Sequence, residues 1–344
     1  MRKTQKMNLK SIIMPVVGVS LALAWSGCNL LDPSESGNLV PLTVDEGNPD
    51  HAAHAVELNG SVFHVETYGN PLNPTIIILH GGPGGDFRYF LRMKETYSGY
   101  SLQHEYYLVF WDQRGSGLSK RHGENNITLD IFLEDLDQMV DTYSSPDPVI
   151  LIGHSWGAMY ATQYINAYPA KVRGAVLSEP GALTREILDD IKDDLVAFQP
   201  FTEWLNDMAW EQQFLSPDDH ARMDYLILLA KKDSQPLYHM DSHGDDPEPS
   251  WRFGAAVSKY LPQSGMDSKG NSTWDFTTNL SSFTGTVLFM ASGDNELIGE
   301  DHQTMQMDFY PDSQLVVIPN CGHDYWWTNT AEVVDAIHVF LNTL

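Results

Sequence analysis

The chain has 344 residues, with 20 Lys+Arg against 46 Asp+Glu and a formal charge of −26. Hydrophobic residues make up 42%, enough for a sizeable core and too many for wholesale disorder. The acidic balance excludes a nucleic-acid binder, because phosphate contacts need surplus cations, and two cysteines exclude a disulfide framework or a Cys-rich zinc site.

Residues 1–27 read as an export signal rather than as part of the globule. Arg2, Lys3, Lys6 and Lys10 form a basic start, and an apolar run follows from Ser11 to Trp25. A spanning helix needs about 20 apolar residues, so this run is short for that role. Its end, Trp25-Ser26-Gly27-Cys28, resembles a bacterial lipobox, in which small residues precede a cysteine that becomes the lipidated N-terminus. The resemblance implies an exported protein held to the membrane by lipid on Cys28 alone. Asn29 after that cysteine implies an outer-membrane or periplasm-facing place. Residues 28–54 read as a tether: Pro33, Ser34, Ser36, Gly37, Pro41 and Gly47 alternate with acids and show no period.

From Val56 onward the chain alternates strand-like and helix-like stretches. Thr75–Leu79 is a continuous apolar run suited to a buried strand, and Tyr106–Phe110, Val149–Ile152, Gly174–Leu177, Val287–Met290 and Leu315–Ile318 repeat that character. Helical spacing links Ile131, Leu133, Leu136, Met139 and Val140, then Met159 to Ala167, then Val333, Ile337, Phe340 and Leu341. Buried strands alternating with helices predict an α/β fold with a doubly wound, mostly parallel sheet. Residues 184–280 break the rhythm and read as a helical cap inserted between core segments 55–183 and 281–344.

Gly153-His154-Ser155-Trp156-Gly157 lies between a strand and a helix, the context of a nucleophile elbow. Ser155 is therefore the expected nucleophile. His80-Gly81-Gly82-Pro83-Gly84-Gly85 closes the strand Thr75–Leu79, where bare backbone can approach a developing oxyanion. The amides of Gly82 and Trp156 are the expected donors. A serine hydroxyl needs a base, and His323 follows the strand Leu315–Ile318 and precedes the last helix, in the chain order such sites use. The orienting acid is expected after Val287–Met290, in Ala291-Ser292-Gly293-Asp294-Asn295-Glu296. Counting from the strand puts Asn295 in the usual slot, and counting from Gly293 puts Glu296 there. Asp294, one residue away and the commoner acid type, is chosen over Glu296. His51 and His54 form a short-spaced pair near the tether without supporting carboxylates, so no metal site is assigned, and no cofactor is required.

These motifs together resemble the proline iminopeptidase-like serine peptidases of the α/β-hydrolase superfamily. His80-Gly81-Gly82-Pro83-Gly84 is similar to their oxyanion loop, Trp111-Asp112-Gln113-Arg114-Gly115-Ser116-Gly117-Leu118-Ser119 to the segment after the next strand, and Gly153–Gly157 to their elbow. His154 departs from them, since that family usually has Gly there and many esterases and lipases have His. The resemblance implies an aminopeptidase whose cap carboxylates grip a free amine. Ala209-Trp210-Glu211 resembles one such cap motif, making Glu211 the candidate substrate-binding residue, and Ala221-Arg222-Met223-Asp224 faintly resembles the other. Arg114 and Asp112 are expected to be structural. A small peptide is the implied substrate, with a carboxylesterase acting on small acyl esters as the alternative and a non-catalytic binding lipoprotein as a weaker one. Nothing in the sequence specifies an oligomer. The anchor is directly testable: two acyl chains suffice for stable attachment where one is marginal, so Cys28→Ser should shift the protein out of the membrane fraction or leave it unprocessed. A mature N-terminus downstream of an unmodified Cys28, seen by mass spectrometry, would contradict it.

Overall fold

The structure, a computed structural model, describes residues 40–144, 147–195, 218–233 and 250–344. Cys28 and Glu211 lie outside the described residues. Eight strands form one sheet: β1 (Ala55–Leu58), β2 (Ser61–Tyr68), β3 (Thr75–Leu79), β4 (Tyr107–Trp111), β5 (Val149–His154), β6 (Val172–Ser178), β7 (Thr286–Ser292) and β8 (Ser313–Ile318). Their spatial order is β1-β2-β4-β3-β5-β6-β7-β8. β2 runs antiparallel to its neighbours β1 and β4, and all pairs from β4 to β8 are parallel.

Burial explains the run-like character of the central strands. Every residue of β3 and β5 is buried, as a parallel sheet covered on both faces requires, whereas edge strand β1 has no fully buried residue. Alternate residues of each strand feed opposite cores. Ile77, Leu79, Val109 and Leu151 pack with Phe132 and Leu136 of α2 (Leu129–Tyr143) and Tyr160 of α3 (Trp156–Ala167), after the short α1 (Leu102–Glu105). Ile76, Ile78, Phe110 and Ile152 face the other way, against Phe87, Phe90, Val333 and Ile337.

Between β6 and β7 the described residues hold three helices: α4 (Arg185–Leu195), α5 (Asp219–Asp233) and α6 (Ala255–Ser264). The C-terminal part adds α7 (Glu300–Met307), α8 (Tyr325–Thr328) and α9 (Thr330–Leu341). Among the described residues no helix is long and apolar enough to cross a membrane. Residues 40–48 correct the expectation of a tether extending to residue 54. Val40, Thr43, Val44 and Asn48 are buried, and the Val44 amide donates to the Leu118 carbonyl at 2.9 Å. Two apolar side chains and a backbone hydrogen bond hold this stretch to the globule, although its composition reads as a linker.

Arg114 is structural, as expected. Its Nε and Nη2 donate at 2.7 Å to the two carboxylate oxygens of Asp135 on α2, and Nη2 also donates to the Asn59 carbonyl at 2.9 Å. Both side chains are buried, and burial pushes the Asp135 carboxyl upward against the opposing pull of the guanidinium. Removing one partner of such a pair strands the other charge. Arg114→Met should therefore lower unfolding stability by about 3–5 kcal/mol, and adding Asp135→Leu should recover part of that loss. Urea unfolding midpoints of the three proteins measure both effects.

Candidate active site

Leu79 at the end of β3 is in register with Gly153 on β5, so the chain leaves the sheet at two adjacent points. This is the switch point of the sheet, because β4 lies on one side of β3 and β5 on the other. At the end of β5, Ser155 has φ +55° and ψ −120°, a strained conformation for a side chain-bearing residue. Its amide donates to the Ser178 carbonyl at 2.8 Å. The turn closes only because its flanks lack side chains. A Cβ on Gly157 would lie 2.0 Å from the Leu79 carbonyl oxygen, and one on Gly153 would lie 2.4 Å from that of Gly157.

Gly82, at φ +127°, stands in the loop after β3, and Trp156 opens α3, where a helix amide has no intrahelical acceptor. Among the described residues neither amide has an acceptor within the protein. Gln113 fixes the two pieces relative to each other. Its amide donates to His80 Nε2 at 3.0 Å, its side chain donates to the His80 carbonyl at 2.8 Å, and its Oε1 accepts from Trp156 Nε1 at 3.0 Å. Because His80 Nε2 accepts, its proton sits on Nδ1, facing the Gly81 carbonyl at 2.9 Å. Burial depresses the pKa of this imidazole and keeps it neutral. The cap side of the loop is held as well, by the Gly254 amide on the Gly84 carbonyl at 2.7 Å and the Trp251 amide on Asp86 at 2.7 Å.

His323 follows β8, as predicted, and is buried. Its carbonyl accepts from His154 Nε2 at 3.1 Å, and the two rings lie 4.4 Å apart. His154 Nδ1 faces the Tyr89 hydroxyl at 3.0 Å, which in turn accepts from the Gly81 amide at 2.9 Å. The residue that departs from the resembled family thus links the elbow, the loop after β3 and the loop carrying His323.

The acid differs from the sequence expectation. His323 Nδ1 is held at 2.6 Å by Glu179, on the turn after β6, and not by Asp294 or Glu296 after β7. Glu179 is completely buried and has φ +43°. Its carboxylate also accepts from the Ser292 amide at 2.7 Å, from the Ser292 hydroxyl and from Asn295 Nδ2 at 3.1 Å. Asn295, in the slot usually acidic, therefore supports the acid instead of replacing it. Asp294 is half-buried and ties β7 to the β8 loop through its backbone, whose amide donates to the Cys321 carbonyl at 2.9 Å, while Glu296 is exposed. Only half of the signal for Glu179 lay in the sequence, the other half being strand register. An acid follows the apolar strand Gly174–Leu177, and His154 and Ser178 pair in register, which places Glu179 level with Ser155.

Asp224 is not an amine-binding group in this structure. It is completely buried, and its carboxylate accepts from Arg121 Nε at 3.0 Å, Arg252 Nε at 2.7 Å and the Ala255 amide at 2.9 Å. It anchors α5 to the start of α6.

Comparison with known proteins agrees with this geometry. Residues 74–330 match the α/β hydrolase fold family. The chain belongs to that family. It is 25% identical over 280 residues to the proline iminopeptidase of Saccharolobus solfataricus, covering 78% of this chain and 85% of that protein. A probable proline iminopeptidase of Leptolyngbya boryana is 29% identical over 180 residues, a match spanning half of this chain and 51% of the relative. Among solved structures, Est816, described as an N-acyl homoserine lactone degrading enzyme, superposes with a TM-score of 0.58 at 18% identity, over 83% of this chain and 99% of that one. That last likeness concerns the fold alone.

The contact to His323 separates the three acids experimentally. Glu179→Gln should reduce kcat by up to about 10⁴-fold, the scale of loss when a triad acid becomes its amide. Asp294→Asn and Glu296→Gln should each cost little. Turnover of one chromogenic substrate by the three variants, with circular dichroism to confirm folding, decides among them.

Proposed function

We propose that this α/β hydrolase is a serine aminopeptidase of the proline iminopeptidase type, exported and lipid-anchored through Cys28, that releases N-terminal residues from short peptides. The observation that carries the reading is the 2.6 Å contact of His323 with the buried Glu179, beside an elbow that presents Ser155 at the end of β5, in a chain whose relatives include a proline iminopeptidase. His323 Nε2 takes the Ser155 proton as the hydroxyl oxygen attacks the scissile carbonyl. Glu179 holds the Nδ1 proton in place and offsets the charge of the imidazolium. The Gly82 and Trp156 amides stabilise the tetrahedral oxyanion, each worth about 10²–10³ in rate. His323 then protonates the departing amine, and water releases the acyl group from Ser155 by the same steps in reverse. Glu211 is the proposed carboxylate for the substrate ammonium, with a charge-assisted hydrogen bond of about 1.5–3 kcal/mol.

A carboxylesterase is the second reading. It is favoured by His154 before the nucleophile and by Asp224, which two arginines occupy and which cannot serve an ammonium as well. Parallel assay of aminoacyl-arylamides and short-chain acyl esters tests the two. Preferential arylamide cleavage, lost together with fluorophosphonate labelling in Ser155→Ala, is expected. Activity confined to acyl esters would move the assignment to the esterase, and labelling that persists in folded Ser155→Ala would remove Ser155 as nucleophile.

A further inference from the structure

A second cluster of reactive side chains forms where residues 40–54 meet β2. In β2, His64 and Glu66 are two residues apart and so project from the same face of the strand. His51, at the start of a short 3-10 turn over residues 52–54, comes over that face. One ring nitrogen each of His51 and His64 and a Glu66 carboxylate oxygen all lie within 4.8 Å of one another. Glu66 Oε1 is 3.5 Å from His64 Nε2 and 3.8 Å from His51 Nδ1. Both ring nitrogens are buried and make no hydrogen bond, and the His64 side chain is fully inaccessible. Two buried nitrogens that face one carboxylate without a hydrogen bond are unfavourable as they stand, since each has given up water without a full replacement.

We propose that His51, His64 and Glu66 bind a divalent transition cation, with Zn²⁺ the best match to a His-His-carboxylate donor set. Bonds of about 2.0–2.2 Å in tetrahedral geometry put ligand atoms about 3.3–3.5 Å apart. The two separations to Glu66 Oε1 need to contract by only a few tenths of an ångström to meet that spacing. The surroundings are those of a ligand set held by outer partners. Asp112 Oδ2 accepts from His64 Nδ1 at 2.8 Å, which leaves the Nε2 lone pair facing the cluster. Asp112 is itself fixed by the Phe87 amide at 3.1 Å and the Leu118 amide at 2.8 Å. The Tyr68 hydroxyl donates to Glu66 Oε2 at 2.5 Å, leaving Oε1 for the centre. The rings of Phe87 and Trp251, 4.9 and 5.0 Å from that of His64, wall the site. His54, its ring 5.9 Å from that of His64, or a water completes four-coordination.

Charge points the same way. Glu66 and Asp112 place two carboxylates on either side of one imidazole, and a dication balances both. A proton is the competing occupant: against the cost of burial, these carboxylates raise the affinity of His64 for one. A protonated His64 would still leave His51 Nδ1 without a hydrogen bond, 3.8 Å from Glu66 Oε1. The cation instead ties residues 40–54 to the sheet, and its binding does not depend on the reaction proposed for Ser155.

Mature protein stripped with a chelator and titrated with Zn²⁺ in a calorimeter tests the site. One equivalent should bind, with no comparable uptake of Mg²⁺, and Co²⁺ should give the visible bands of a four-coordinate ion. His51→Ala, on a half-exposed turn that need not disturb the core, and Glu66→Gln should each weaken Zn²⁺ at least tenfold. Zn²⁺ should raise the thermal midpoint of the unmutated protein and not that of His51→Ala. Absence of stoichiometric binding overturns the proposal. So does unchanged affinity in His51→Ala and Glu66→Gln, which would place the metal elsewhere.

Discussion

The whole site hangs on a backbone approach too close for any side chain. The first turn of α3 lies against the end of β3 so tightly that a Cβ at position 157 would overlap the Leu79 carbonyl oxygen. That contact lets the helix leave the sheet at once and holds Ser155 in its strained turn at the edge. It also sets the opening amide of α3 beside the loop that follows β3, and Gln113 then locks the two together through His80 and Trp156. Parallel pairing of β3 with β5 is what makes these segments emerge side by side. Were the strands not adjacent, the amide donors and the hydroxyl would be separated by a strand's width.

Glu179 performs the corresponding task on the other side of the elbow. One fully buried carboxylate accepts hydrogen bonds from β7, from the loop after it and from the loop after β8. Full hydrogen bonding offsets the cost of burying that carboxyl group. The strands explain why the acid can stand on β6. Parallel neighbours end level, so a carboxylate after β6 reaches His323 about as well as one after β7. The position after β7 is then free to hold Asn295, whose amide donates to Glu179 and whose carbonyl oxygen accepts from the Leu297 and Ile298 amides.

Buried charge is handled similarly elsewhere. Asp224 is shared between Arg121 and Arg252, and Asp135 between Arg114 and Asn59. Each group joins segments far apart in sequence, and each explains an acidic or basic residue that a linear reading would place at the surface or in the substrate site. The cluster around His64 is the exception, since its ring nitrogens converge without closing a hydrogen-bond network.

Much of this was legible without coordinates. Continuous apolar runs identify β3 to β7 because a strand buried on both faces has little polar side to show, and the run Leu315–Ile318 marks β8 although that edge strand buries only Ile318. The spacing of Gly153, Ser155 and Gly157 identifies the elbow because its sterics involve residues close in the chain. His323 was found for the same local reason, as the histidine between the last strand and the last helix. The acid was missed because its choice depends on which strand ends lie level, a property of register and not of any local motif. His51 was dismissed for want of a supporting carboxylate, and residues 40–48 were read as linker, for one shared reason. The groups that complete them, Glu66 and His64 on β2 and the Leu118 carbonyl beyond β4, come close only once the chain has folded back across the sheet. Sequence determined the strands, the helices and the local turns. Tertiary structure decided which distant side chains share a proton, a charge or a buried space.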